Sequence, residues 1–187
     1  MYLRNFNTQQ GDFLKNCIVL FFPKLLENQS PLLIPLELLS LVSSLKRLNV
    51  RIKILDERVE RWDEKTLPKT LEDALAVGIS CRPGGQVKRS FEFARAVKSV
   101  NGEIPVVMGG WFPSVVPERT VAHPAVDYVI VGEGESALKS LIEQLLAGNE
   151  PLPVPGVASF VNGQYAYQAS DPISHITENA MPDYSAI

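Results

Sequence analysis

Apolar positions along this chain fall into two alternating textures. NCIVLFF (16–22) is an unbroken apolar run closed by Pro23, the pattern of a strand covered on both faces. From Pro35, Leu38, Leu41, Val42, Leu45 and Leu48 recur at helical spacing, with Pro35 suited to a first turn. VRIKILD (50–56) alternates apolar with basic residues and ends on Asp56, as a strand nearer the sheet edge would. A second helix is expected from Thr66 and Pro68 through Ala74, then a third strand, ALAVGIS (74–80). Val87, Phe91, Ala94 and Val97 mark a helix over 86–99, stopped near Asn101-Gly102. IPVVMGG (104–110) and DYVIVGEGE (127–135) supply the fourth and fifth strands. Leu138, Leu141, Ile142 and Leu145 then share one face of a helix that runs to Leu146 and stops at Gly148.

Parallel neighbours need long crossovers, and those here are helical, so the pattern predicts an α/β fold with an open, doubly wound parallel sheet of five strands. Five alternations favour the flavodoxin-like (Rossmann-like) order 2-1-3-4-5. After Gly148 the texture changes to the proline-rich NEPLPVPG, and GVASFVNGQYAYQ (156–168) carries two alternating runs around Asn162-Gly163, a strong hairpin signal. The expected organisation is an N-terminal arm (1–15), an α/β domain (16–150), a C-terminal β-hairpin extension (151–172) and an aperiodic tail (173–187) that wraps a surface or serves as a linker.

Composition narrows the class. With 187 residues, 45% of them hydrophobic, and a formal charge of −3, the chain can bury a core unaided, and it has no basic footprint for nucleic acid or anionic lipid. Cys17 and Cys81 lie inside apolar runs, which fits a reducing compartment. MYLRNFNTQQGD lacks the pattern of a signal peptide, and the longest apolar stretch, Leu32 to Leu48, is broken by Pro35, Glu37 and Lys46, so no membrane span is expected. By elimination the expected location is cytoplasmic.

Ligands of open α/β sheets bind at the carboxyl ends of the strands. Three of the five exits are glycine-rich: Gly84-Gly85, Gly109-Gly110 and Gly132/Gly134. Such glycines either make strand-to-helix turns or let a flat ligand approach bare backbone; three together favour a binding rim. GEGES opens a helix whose N–H groups attract an anion, yet Glu133 and Glu135 compete for those donors. Those carboxylates either accept hydrogen bonds from an uncharged amide or hydroxyl ligand or stabilise the helix start. Other chemistries fit poorly. Ser80 stands where a receiver domain needs aspartate, the first turn lacks G-x-G-x-x-G, and His123, His175 and the two cysteines form no metal set.

GIS (78–80), VVMGGWFPS…PE (106–118), VDYVIVGEGE (126–135) and PGV (155–157) resemble the N-terminal cobalamin-binding domain of cobalamin-dependent radical S-adenosylmethionine enzymes, the group of anaerobic magnesium-protoporphyrin monomethyl ester cyclases and many methylases. Cobalamin domains of the wider class carry S-x-L, a spacer and a glycine pair. Here Ser80-Cys81-Arg82 is followed by the 26 residues 83–108 and then Gly109-Gly110, with Arg82 in place of leucine. The resemblance implies that Ser80 hydrogen-bonds the cofactor's nucleotide base and that Gly109-Gly110 form the wall against which it lies. Cys81, Arg82, Trp111, Gly132, Glu133, Gly134 and Glu135 are expected around the same site. On that basis Gly110→Leu should block entry of the nucleotide tail without unfolding the sheet.

The wider class also places D-x-H-x-x-G after the first strand, its histidine ligating cobalt from below. The matching stretch here, LLIPLEL (32–38), has no histidine, and from Pro23 to Pro35 the polar residues are Lys24, Glu27, Asn28, Gln29 and Ser30. The resemblance therefore implies base-off cobalamin without a histidine lower ligand, that face shielded by Leu25, Leu26, Leu32 and Leu33 or left to ordinary core. Three closely spaced cysteines are also absent, so a 4Fe-4S cluster and S-adenosylmethionine would belong to a radical domain elsewhere, towards which 173–187 would lead. No catalysis is expected of this chain alone. The alternative is the same fold without cobalamin, serving as a docking or structural module.

Overall fold

The computed structural model describes residues 15–25, 34–148, 153–171 and 181–186. Strand β1 (Cys17–Phe22) is buried along its whole length, as its unbroken apolar run predicts. Its residues alternate between two cores: Cys17, Val19 and Phe21 enter one layer, while Ile18, Leu20 and Phe22 enter the other. Helix α1 (Leu36–Leu45) covers the second layer with Leu38, Val42 and Leu45, and a 3-10 turn (Lys46–Leu48) leads to β2 (Arg51–Asp56). Exposed Arg51 and Lys53 alternate with half-buried Ile52 and Ile54, so β2 is an edge strand.

The second helix, α2, is a single turn, Leu67–Thr70, and does not reach Ala74. Leu67 and Leu71 are both buried, which one turn achieves, and Ala74 already pairs with Cys17 as the first residue of β3 (Ala74–Ser80). Helix α3 (Gly85–Val100) lays Phe93, Ala94 and Val97 on the first layer, where Phe93 stacks on Phe21 at 3.8 Å between ring centroids. Burying an aromatic of this kind contributes about 1.5–3 kcal/mol.

Strands β4 (Val106–Gly109) and β5 (Tyr128–Ile130) are shorter than their apolar runs. Between them lie two single-turn helices, α4 (Trp111–Val115) and α5 (Pro117–Val121), which Pro113 and Pro117 conceal from a periodicity search. Helix α6 (Glu135–Leu146) returns to the second layer beside α1, burying Ala137, Leu138, Leu141 and Ile142.

The five parallel strands take the order β2-β1-β3-β4-β5. The hairpin β6 (Val157–Val161) and β7 (Gln164–Tyr167) turns through Asn162 and Gly163, both at positive φ as a type I′ turn requires. It adds antiparallel to β5, giving one sheet of seven strands. The stretch 181–186 lies against α1: Ser43 Oγ donates to the Met181 carbonyl, the Asp183 N–H donates to the Leu39 carbonyl, and Lys46 pairs with the Asp183 carboxylate at 2.5 Å. Among the described residues, no helix is long and apolar enough to cross a membrane.

Cys17 and Cys81 are unpaired and buried, and burial pushes both thiols above the ordinary range. A thiol that is enclosed and protonated reacts slowly. Intact-mass analysis should find neither cysteine alkylated by iodoacetamide in the native protein at neutral pH, and both alkylated after unfolding. Rapid labelling of the native chain would contradict this burial.

Candidate functional site

A cleft of about 630 Å³ opens at the carboxyl ends of β1, β3, β4 and β5, between α1 and α6. Its floor follows from strand parity. Gly78 and Ser80 on β3, and Val107 and Gly109 on β4, belong to the same alternating set as Leu20 on β1 and Ile130 on β5. In that set two positions have no side chain, so a trench runs across the sheet. Leu38 and Leu41 of α1 and Leu138 of α6 wall it.

Nine of the ten residues singled out from the sequence line this cleft: Ser80, Arg82, Gly109, Gly110, Trp111, Gly132, Glu133, Gly134 and Glu135. Cys81 does not. Its side chain points into the opposite core, and its backbone bonds to the Gly109 carbonyl and the Phe112 N–H instead. The neighbour of an inward residue on a strand faces away, so Ser80 and Cys81 cannot share the cleft. Gly84-Gly85 lie outside it as well, at the start of α3 on the other layer.

The glycines divide by physical cause. Gly110 has φ of 103°, and a Cβ there would lie 2.8 Å from the Cys81 carbonyl oxygen. Its bareness is a demand of the fold, so Gly110→Leu would disturb the sheet exit itself, contrary to the expectation from sequence. Gly109 has no such constraint: a Cβ would meet only Ile130 Cβ at 3.7 Å, an ordinary contact. Nothing in the chain's own packing requires glycine at 109, and the space beside it is the trench.

Ser80 ends β3 directly opposite Gly109. Its hydroxyl makes no hydrogen bond among the described residues, although it is half-buried. The rim is built differently. Arg82 donates to Glu37 Oε1 at 2.5 Å, joining the exit of β3 to the first turn of α1. Its guanidinium also lies 5.6 Å from the centre of the Phe22 ring. Trp111 stands 77% exposed at the start of α4, and Glu133 and Glu135 flank the entry to α6.

Several positioning residues had no motif to announce them. Ser114 Oγ donates to the Gly110 carbonyl at 2.8 Å and accepts from the Gly132 N–H at 2.9 Å, bracing two glycine exits together. Ser114→Ala should cost about 1–2 kcal/mol in a denaturant titration, as two backbone groups lose a partner; an unchanged midpoint would remove Ser114 from this role. Buried Gln86 accepts from the Arg82 N–H and donates to the Pro23 carbonyl at 2.6 Å. Glu57, also buried, pairs with Arg89 and accepts from the Lys24 N–H, so the chain leaving β1 is pinned at two points. Gly78 did leave a trace, since a glycine inside an apolar strand signals close approach. A Cβ there would meet Leu20 Cδ2 at 2.8 Å.

Glu27, Asn28, Gln29, Ser30, Leu26, Leu32 and Leu33 lie outside the described residues, and Leu25 is partly exposed. Among the described residues no group of three His, Cys, Asp or Glu side chains could hold a metal ion.

The chain resembles known proteins over most of its length. It is 28% identical over 153 residues to an uncharacterized methyltransferase of Pyrococcus horikoshii, a match covering 80% of this chain and 33% of that protein. Its fold matches that of the cobalamin-dependent S-adenosylmethionine radical enzyme OxsB with aqua-cobalamin bound, with a TM-score of 0.74, 22% identity, and coverage of 89% of this chain and 24% of the other. It also matches the radical S-adenosylmethionine methyltransferase TsrM from Kitasatospora setae with cobalamin and a [4Fe-4S] cluster bound, with a TM-score of 0.70, 18% identity, and coverage of 91% and 32%. The chain thus spans about a third or less of each of these proteins. A family model described as the B12 binding domain matches residues 26–142, a span that holds every residue lining the cleft except Leu20, and the chain belongs to the B12-binding domain family.

Proposed function

We propose that this chain holds cobalamin with its nucleotide base detached from cobalt and seated in the trench, as the cofactor-carrying part of a radical S-adenosylmethionine methyltransferase or oxidative cyclase. The observation that carries this is the pair Ser80–Gly109: an unpartnered hydroxyl opposite a glycine that the fold itself does not need. The residues fit the group. A flat base needs a bare wall, an apolar enclosure and one hydrogen-bond partner, and Gly109, the leucines of α1 and α6, and Ser80 supply them.

Bound cobalamin supplies a cobalt centre able to carry a methyl group and to change oxidation state. The rest falls to the protein. Ser80 offers its hydroxyl to the base, and Gly109 lets the ring touch the sheet. Glu133 and Glu135 accept hydrogen bonds from the amide groups that fringe a corrin, and Trp111 covers an apolar edge at the mouth. Between Pro23 and Pro35 the sequence has no histidine, so this segment would offer a bound cobalt no imidazole. Without that nitrogen donor the low-valent state is easier to reach, which suits methyl transfer initiated by radicals. The cluster and S-adenosylmethionine would reside in a separate radical domain, beyond the α/β unit of 16–150, the hairpin of 151–172 and the stretch 173–187.

Hydroxocobalamin mixed with the purified protein should survive desalting and give a base-off visible spectrum, with emission from Trp111 quenched. Complete loss of colour would favour the alternative, a docking or structural module on the same fold.

A further inference from the structure

Two buried polar side chains that do not line the cleft spend their hydrogen bonds on one short run of main chain, the exit of β1. Glu57 donates its N–H to the Phe22 carbonyl at 3.0 Å and accepts from the Lys24 N–H at 3.2 Å. Between them, Gln86 in the first turn of α3 donates to the Pro23 carbonyl at 2.6 Å. Gln86 has a second bond: its Oε1 accepts from the Arg82 N–H at 3.1 Å, and the Arg82 side chain reaches Glu37 in the first turn of α1. One side chain thus stands behind both ends of the β1–α1 connection, its start through Pro23 and its finish through Arg82 and Glu37. Glu37, Leu38 and Leu41 of α1 then face the cleft.

We propose that Gln86 is a positioning residue for the ligand: by fastening both ends of the β1–α1 connection it sets the α1 wall of the cleft, with Glu57 as a second anchor at β1. The proposal rests on the reading that a corrinoid occupies the cleft. The physical ground is desolvation. A buried amide is costly unless its oxygen and nitrogen are both used, and a fully satisfied buried network holds one geometry. Here both are used on main chain, which cannot rotate away as a side chain would. With leucine at 86, the Pro23 carbonyl and the Arg82 N–H lose this partner. The exit of β1 and the Arg82–Glu37 bridge are then free to shift, and α1 with them. Supporting residues of this kind are worth about tenfold to a hundredfold in affinity at metal sites.

Equilibrium dialysis against hydroxocobalamin, read by visible absorbance, would give dissociation constants for the native chain, Gln86→Leu, Glu37→Gln and the double variant. Circular dichroism establishes that each is folded at the assay temperature. Gln86→Leu should bind about tenfold more weakly than the native chain. The double variant should bind within about twofold of Gln86→Leu, because both changes break the same chain of contacts. Native affinity in a folded Gln86→Leu would overturn the proposal while leaving cobalamin binding intact, and fully multiplicative losses would overturn the route through Arg82 and Glu37. A native chain that takes up no corrinoid would instead remove the reading beneath the proposal, and the proposal with it. Should leucine at 86 unfold the chain, hydrogen exchange on the native protein decides. Coupling between two sites acts in both directions, so cobalamin should slow exchange of the Lys24 and Arg82 amides by about fivefold or more. Unchanged exchange at both would overturn the role of Gln86.

Discussion

Gly109→Leu is expected to abolish cobalamin retention while leaving the fold intact. The new side chain starts from a position where a Cβ meets only Ile130 Cβ at 3.7 Å, so no backbone must move to admit it. Leucine tolerates the extended conformation at the end of β4, and its branched end fills the floor of the cleft opposite Ser80. A ligand needing that volume must expel a packed side chain, and overpacking of this kind costs about 1–3 kcal/mol or more, so affinity should fall about a hundredfold. Desalting followed by a visible spectrum checks binding, and circular dichroism with a thermal melt checks the fold. A variant that keeps its colour would show that the base does not lie against Gly109.

One residue further on, the same substitution should do the opposite kind of damage. Gly110→Leu forces a branched side chain onto φ of 103° and brings its Cβ within 2.8 Å of the Cys81 carbonyl oxygen and 3.2 Å of the Cys81 nitrogen. Those are backbone atoms of the β3 exit, held by the bonds from Cys81 N–H to the Gly109 carbonyl and from Phe112 N–H to the Cys81 carbonyl. They cannot yield as a flexible side-chain tip would. Left-handed strain alone costs about 1–3 kcal/mol, and the clash adds to it, so the unfolding free energy should drop by about 2–4 kcal/mol. Denaturant melts of the two variants side by side would separate the roles. Equal stability of Gly110→Leu and the native chain would overturn this account of the exit.

The contrast between these neighbours marks how far the site was legible in the sequence. GG after an apolar run announced a strand exit, and GEGE announced another, because glycine at such places answers to few causes. Which cause held at each position was not legible, since it depends on what lies a few ångströms away on β3 and β5. Cys81 illustrates the same limit. It sits in the motif beside Ser80, yet alternation along the strand sends its side chain to the other core. Ser114 and Gln86 carried no signal at all, because each ties a partner four residues away to a second one that is 18 or 63 residues distant in the chain.

The fold was read more completely. β1 is covered on both faces and lacks polar positions, β2 alternates as an edge does, and Asn162-Gly163 turns the hairpin through two positive φ angles. Pro113 and Pro117 hid two short helices, and the second helix stopped early because Ala74 was needed for pairing with Cys17.

By itself the sequence determined the α/β class, the order of the five parallel strands and two of the glycine-rich exits that line the cleft. Periodicity and turn chemistry act over a few residues, so local composition is enough to write them. Only the tertiary structure decided that Gly78, Gly109 and Ser80 share one floor, that α1 and α6 wall it, and that Gly110 belongs to the fold more than to a ligand. Those are consequences of register between strands and of packing between layers, and both depend on distances that no single stretch of chain contains.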